Sequence, residues 1–183
     1  MKPFLIIYYA ILQKLYQNKK VFLYWFDLTQ NFGDSINPLF IEALSGKKVQ
    51  RVKPHEAGIE HVIAIGSVIE HCSKDSVIWG SGFISENSEF NTFPKKVLAV
   101  RGPKSRQRLL AYGIECPEIY GDPVLLLPKI YNPTINKKYK YGFVPHFSDK
   151  NNTWLQKNVY KNKEILLIDL QKENVWEIID DIL

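Results

Sequence analysis

"VFLYWFDLTQNFGDSINPLFIEALSG", residues 21–46, decides how the chain is folded. Its first six residues are an unbroken apolar run, the pattern of a strand covered on both faces, as in a parallel sheet. From Ile36 the apolar residues Ile36, Leu39, Phe40, Ala43 and Leu44 recur at helical spacing, and Gly46 stands where a helix stops. Strand, loop and helix make one βα unit. The turn "NFGDSI" (31–36) falls at the carboxyl end of the strand, where open α/β sheets take their ligands. A helix start with Asn37 as cap and Pro38 at the first helical position keeps the proline from removing an interior hydrogen bond, and it leaves Asp34 outside the helix. A carboxylate there opposes a phosphate. It suits sugar hydroxyls better, or serves as general base beside a reacting hydroxyl. A plain turn closed by an Asx bond accounts for the same residues.

Working outward, "VQRV" (49–52), "HVIAIG" (61–66), "SVIWG" (76–80) and "KVLAVR" (96–101) read as further strands. "GPKSRQRLLAYG" (102–113) reads as a helix opened by Gly102 and Pro103 and closed by Gly113, and "CPEIYGDP" (116–123) as a short strand running into a turn. Strands alternating with helices imply an α/β fold with a doubly wound, Rossmann-like parallel sheet. The proline, asparagine and lysine run "PKIYNPTINKKYK" (128–140) has no apolar period and marks a linker. Beyond it, "YGFVPH" (141–146) and "EILLID" (164–169) look like strands, each followed by a helix. The last helix, Glu173 to Leu183, puts Val175, Ile178, Ile179, Ile182 and Leu183 on one face. The expected organisation is an amphipathic helix over 1–20, a Rossmann-like domain over 21–130, a linker over 131–140 and a partial second Rossmann-like domain over 141–183. The second is expected to be incomplete, because two βα units cannot cover both faces of a sheet and the final helix ends on apolar residues.

The bulk composition narrows the chemistry. The 183 residues are 45% hydrophobic and 13% aromatic, which is globular, and the formal charge is +5. Lys95, Lys96, Arg101, Lys104, Arg106 and Arg108 follow one another with no acid between them, favouring an anionic ligand or surface. No nucleic-acid motif accompanies the charge, so nucleic acid is not an expected partner. Cys72 and Cys116 stand alone, and His55, His61, His71 and His146 fit no zinc template, so no metal is expected and a reducing cytoplasm is the plain location. The apolar run Phe4–Leu12 is too short to span a bilayer. With lysines around it, this segment suits a helix packed on the core or peripheral contact with the anionic inner face of a membrane.

Several short stretches carry candidate chemistry. In "WGSGF" (79–83), Gly80 and Gly82 flank Ser81 at a strand end and permit close approach of a ligand to the backbone; Gly66 and Ser67 end the preceding strand in a similar way. In "AVRGPKS" (99–105), Arg101 lies between a strand end and a helix N-terminus, so a guanidinium and free amides converge on one anion, with Ser105 adding a hydroxyl. Arg106 and Arg108 read as solvated arginines on the same helix. "YGDPVLLLPK" sets Asp122 in a Gly-Asp-Pro turn, and "VPHFSD" ends a strand on His146, a candidate acid or base.

In this order and spacing, "NFGDSIN", "GSG", "AVRGPKSRQRLLAYGI" and "YGDPVLLLP" resemble the polysaccharide pyruvyl transferase family, well over residues 20–130 and loosely beyond. The resemblance implies two Rossmann-like domains facing across a cleft, as in B-type glycosyltransferases. It also implies transfer of the enolpyruvyl group of phosphoenolpyruvate onto two hydroxyls of a sugar, giving a pyruvate ketal in a capsule, exopolysaccharide or cell-wall glycan. The partners would be phosphoenolpyruvate and a glycan or lipid-linked oligosaccharide, with no cofactor. The first domain is then expected to hold the acceptor and the second most of the donor site. Gly33, Asp34 and Asn37 match the family's Gly-Asp-x-x-Asn element, with Asn31 just ahead of it, Arg101 and Ser105 its Arg-x-x-x-Ser element, and Gly121 and Asp122 its Gly-Asp turn. The family's Ser-rich, His-containing segment has no counterpart before Leu183. Asp34 is the expected base and His146 the expected acid. The competing readings are a glycosyltransferase using a nucleotide sugar and a non-catalytic glycan-binding remnant.

Overall fold

The computed structural model describes residues 19–27, 31–53, 58–89 and 92–183. The expected helix over 1–20 lies outside them, save Lys19 and Lys20, and Lys20 already opens the first strand. Two compact units are present: Met1–Asp27 with Asn37–Asn132, and Leu28–Ile36 with Pro133–Leu183.

The first unit is built on a five-stranded, all-parallel sheet. Its strands are β1 (Lys20–Tyr24), β2 (Lys48–Arg51), β3 (His61–Ile63), β4 (Ser76–Trp79) and β5 (Lys96–Ala99), in the order β2-β1-β3-β4-β5. This is the Rossmann-like α/β architecture. Adjacent β1 and β3, paired Leu23 to Val62 and Tyr24 to Ile63, form the point where the strand order reverses. All four residues of β4 are buried, which explains its continuous apolar run. Tyr24, Ile63, Ile78, Val97 and Val100 pack with Leu109 of helix α2 (Pro103–Ala111) into one core cluster. α2 begins and ends on the expected signals, with Gly102 as cap, Pro103 following it and Gly113 at φ 75° just beyond. The two buried cysteines are free thiols, and buried His61 is a packing residue bonded through Nε2 to Ser76 Oγ at 2.8 Å. "CPEIYGDP" contributes only an isolated bridge, Val100 to Tyr120.

Helix α1 departs from the expected start. It runs Phe32–Ser45, so Asp34 lies in its first turn and Pro38 in its interior. The cap is Asn31, whose Oδ1 accepts from Gly33 N at 3.2 Å and whose carbonyl accepts from Ser35 N at 2.8 Å. An interior proline costs a helix about 3 kcal/mol. Fully burying Ile36, Phe40 and Ile41 returns about 1.5–3 kcal/mol each, so tertiary burial outweighs the local penalty. Asn37, far from capping, is itself completely buried. The buried stripe is Ile36, Asn37, Phe40, Ile41 and Ser45, while Leu39 and Ala43 face out, so the helix is rolled from the expected register.

The second unit contains β6 (Tyr141–Phe143), α3 (Thr153–Asn158), β7 (Ile165–Leu167) and α4 (Val175–Ile182). β6 and β7 pair in parallel, Tyr141 opposite Ile165 and Phe143 opposite Leu167. Leu155, Val159, Ile168, Val175, Ile178 and Ile179 are buried, whereas Ile182 and Leu183 are exposed, contrary to the expected face. Phe32 N donates to Leu170 O at 3.0 Å, tying the start of α1 into this unit.

Candidate functional site

Because the sheet is parallel, the segments after β3, β4 and β5 emerge on one edge, and backbone hydrogen bonds continue the ladder past the strands. Gly80 N donates to Ala99 O (2.8 Å), Arg101 N to Ser81 O (2.9 Å) and Gly82 N to Gly66 O (3.0 Å). Ser81 is completely buried and its hydroxyl donates to Gly66 O at 2.8 Å, so it fastens two loops together. Gly80 sits at φ 91°, and a Cβ on it would lie 2.7 Å from Gly121 O and closer still to the Pro123 ring. Its missing side chain therefore serves packing, where the sequence suggested approach by a ligand. Gly82 differs: a Cβ there would meet the Arg101 guanidinium, Nη2 at 2.8 Å and Cζ at 3.1 Å. The bare glycine lets the guanidinium lie against the loop.

Arg101 is exposed, and its Nη2 donates to Ser67 Oγ at 2.7 Å. Immediately after it α2 begins at Gly102, which has no side chain to cap the helix amides, so the positive end of the helix adds to the guanidinium charge. Ser105 Oγ accepts from Phe83 N at 3.4 Å. Gly121 N donates to Val100 O at 3.1 Å, and Asp122 Oδ1 accepts from Val124 N at 3.1 Å, capping the turn Pro123–Lys129. Burial pushes the Asp122 carboxyl above its ordinary value, opposed by the Val124 bond and by the charge of Arg101. Arg101, Ser67, Gly82, Ser105, Gly121 and Asp122 thus belong to one edge of one sheet.

The other two arginines are not solvated as expected. Arg106 Nε donates to Cys116 O at 3.1 Å. Arg108 donates to the carbonyls of Ser85, Glu86 and Ser88 and stacks over Phe83, 4.7 Å from its centroid, so it clamps the loop after β4. Ser67, which the sequence marked only as "GS" at the end of a strand, is the residue that the Arg101 guanidinium reaches.

Asn37 binds the backbone of Ile65 twice, donating from Nδ2 to Ile65 O (3.2 Å) and accepting at Oδ1 from Ile65 N (3.1 Å). Its amide is thus engaged within the fold, where the sequence placed it in a ligand-binding loop. Asn31, Gly33 and Asp34 belong to the second unit, where Asn31 caps α1 and Gly33 donates to that cap. Half-buried Asp34 has its carboxyl pushed above the ordinary value by burial. His146, also in the second unit, accepts at Nδ1 from Ser148 N (3.4 Å), ahead of the turn Phe147–Asp149. Among the described residues, no cluster of three or more His, Cys, Asp and Glu side chains forms a metal site, and no helix is long and apolar enough to cross a membrane.

An exposed guanidinium, two serine hydroxyls and a helix N-terminus thus lie at the carboxyl edge of the parallel sheet of an α/β protein of Rossmann-like topology. The chain belongs to the polysaccharide pyruvyl transferase family, whose sequence model matches residues 5–183. No curated protein and no solved structure matches it.

Proposed function

We propose that the protein transfers the enolpyruvyl group of phosphoenolpyruvate to a sugar of a surface polysaccharide, closing a pyruvate ketal on two of its hydroxyls. The observation that supports this is the distinction among three arginines. Arg106 and Arg108 hold backbone carbonyls, whereas Arg101 is exposed and, among the described residues, hydrogen-bonded only to Ser67 Oγ. Phosphoenolpyruvate brings a phosphate and a carboxylate, and a planar guanidinium beside a helix N-terminus suits either.

In the reaction, the methylene carbon gains a proton, one sugar hydroxyl adds to the adjacent carbon, and phosphate leaves with its bridging oxygen. The second hydroxyl then adds to the same carbon. Of the two hydroxyl protons, one balances the methyl group and the other leaves with phosphate. An acid and a base are needed, and no cofactor is. Asp34 is our base, since a carboxyl raised by burial is a better proton acceptor than an ordinary one. His146 is our acid. Asn31 and Gly33 are assigned to the acceptor, Arg101, Ser105, Gly82 and Ser67 to the donor, and Gly121 and Asp122 to substrate binding on the same sheet edge as Arg101. A phosphoenolpyruvate substrate agrees with a cytoplasmic site of action, with glycan reached at the inner face of the membrane.

The test is phosphate release from phosphoenolpyruvate with a lipid-linked oligosaccharide, alongside mass spectrometry of the glycan for the ketal. Arg101→Ala is expected to weaken phosphoenolpyruvate by more than about 1.5 kcal/mol, roughly tenfold. Nucleotide release from UDP-sugars with no turnover of phosphoenolpyruvate refutes the reading, and an unchanged affinity in Arg101→Ala removes that residue from the donor site.

A further inference from the structure

A pocket of ≈ 330 Å³ opens in the second unit, lined among others by Phe143, Pro145, His146, Asp149, Asn152 and Trp154. It lies beyond the carboxyl end of β6, and local hydrogen bonds fix its rim. Asn152 caps α3, its Oδ1 accepting from Trp154 N at 2.8 Å, which leaves Nδ2 to donate. Asp149 Oδ1 accepts from Ser148 Oγ at 3.2 Å, leaving Oδ2 to accept. Nδ1 of His146 lies 2.7 Å from Ser148 Oγ and 3.4 Å from the Ser148 amide, which fixes the ring at the rim. Trp154 is 59% exposed, although an indole is among the most favourable side chains to bury.

From this geometry we infer that the pocket receives one pyranose ring, with Trp154 as the stacking face and Asp149, Asn152 and His146 as partners for its hydroxyls. A pyranose has one face of C–H bonds that lies on an aromatic ring and an equator of hydroxyls that both donate and accept. A carboxylate, a carboxamide and an imidazole match that equator. The volume is at the low end for small-molecule sites, which fits a single monosaccharide. Charge argues against phosphoenolpyruvate: among the described residues no Lys or Arg lines the pocket, its carboxylate would repel a polyanion, and neighbouring Lys150 is held by Asp169 Oδ2 at 2.9 Å. The inference rests on the proposed transfer to a glycan, and it assigns to the second unit a part of the acceptor, where the family resemblance led us to expect mainly donor.

The test uses the full chain with ¹⁵N-labelled tryptophan. The indole N–H signals of Trp25, Trp79, Trp154 and Trp176 are followed by NMR during titration with the methyl pyranosides of glucose, galactose, mannose and N-acetylglucosamine, and separately with phosphoenolpyruvate. The signal missing from Trp154→Phe identifies Trp154, and the three remaining signals report that the variant is folded. At least one pyranoside is expected to move the Trp154 signal saturably, and Asp149→Asn to weaken that titration about fivefold or more. A Trp154 signal that moves with phosphoenolpyruvate, or with none of the four sugars up to about 100 mM, far above the millimolar range of weak sites, overturns the inference. Since the readout is binding, sugar-dependent shifts without ketal formation refute the transfer and keep the pocket. Ketal formation with an unmoved Trp154 does the reverse.

Discussion

Gly82→Ala separates the proposed anion site from the stability of the fold. The added methyl would sit 2.8 Å from Arg101 Nη2 and 3.1 Å from both Cζ and Nε. Carbon contacts are comfortable at about 3.5–4.0 Å, so the guanidinium must retreat by about 0.7 Å or more. That stretches the 2.7 Å bond from Nη2 to Ser67 Oγ to the outer limit of hydrogen bonding. A hydrogen bond to a charged group is worth about 1.5–3 kcal/mol. A displaced guanidinium keeps part of its attraction, so we expect the low end, a roughly tenfold loss of phosphoenolpyruvate affinity by isothermal titration. Urea unfolding should change by no more than about 0.5 kcal/mol, because the yielding atoms end an exposed side chain and Gly82 has no positive φ. Gly80→Ala is the contrast. At φ 91°, and with Gly121 O only 2.7 Å from the new methyl, it forces backbone apart and should cost about 2 kcal/mol or more in stability. Unchanged affinity in a folded Gly82→Ala would refute the role given to the guanidinium, and destabilisation equal to that of Gly80→Ala would refute the geometry.

Asn37→Ala should destabilise by about 3 kcal/mol, since it strands both backbone groups of Ile65 in the interior; a urea-unfolding change below about 1 kcal/mol contradicts the paired bonds. If Asp34 is the base, kcat/KM rises with pH through a value above the ordinary 3.8, and Asp34→Asn removes that acid limb and lowers turnover about 10²-fold or more. For stability the sign runs the other way. A carboxyl raised in the fold binds its proton more tightly there, so its contribution is greatest below 3.8 and declines as pH rises through the folded value. Burial pushes the Cys72 thiol up to about 12, so iodoacetamide at pH 8 should leave Cys72 unmodified in the native protein and label it in denaturant, as intact mass and peptide mapping will show.

The strands of the first unit were legible because each is a short apolar run bounded by polar or glycine residues, and α2 because Gly102, Pro103 and Gly113 act through their own backbone. The start of α1 was not legible. Local rules weigh Pro38 heavily, while the burial of Ile36, Phe40 and Ile41 that outweighs it exists only after the chain has packed. The same limit divides the site. "IGS" and "GSG" are equivalent as text, yet Ser67 reaches a guanidinium while Ser81 is sealed against Gly66. Arg101, Arg106 and Arg108 share one basic stretch, and only the placement of Cys116 and of the 85–88 loop shows which guanidiniums are occupied. A sequence reports which residue types are available, whereas their partners are set by contacts between distant segments.

α1 begins in Leu28–Ile36, which belongs with Pro133–Leu183, and continues into Asn37–Asn132. The second unit is therefore written in two separated pieces of the gene, stitched by the bond from Phe32 to Leu170. A single recombination event near residue 132 would hand a descendant the strands and helices of that unit without Asn31, Gly33 and Asp34. Inheritance of these two units as independent cassettes would need two matched breakpoints, one of them inside a continuous helix, so they are expected to be transmitted together.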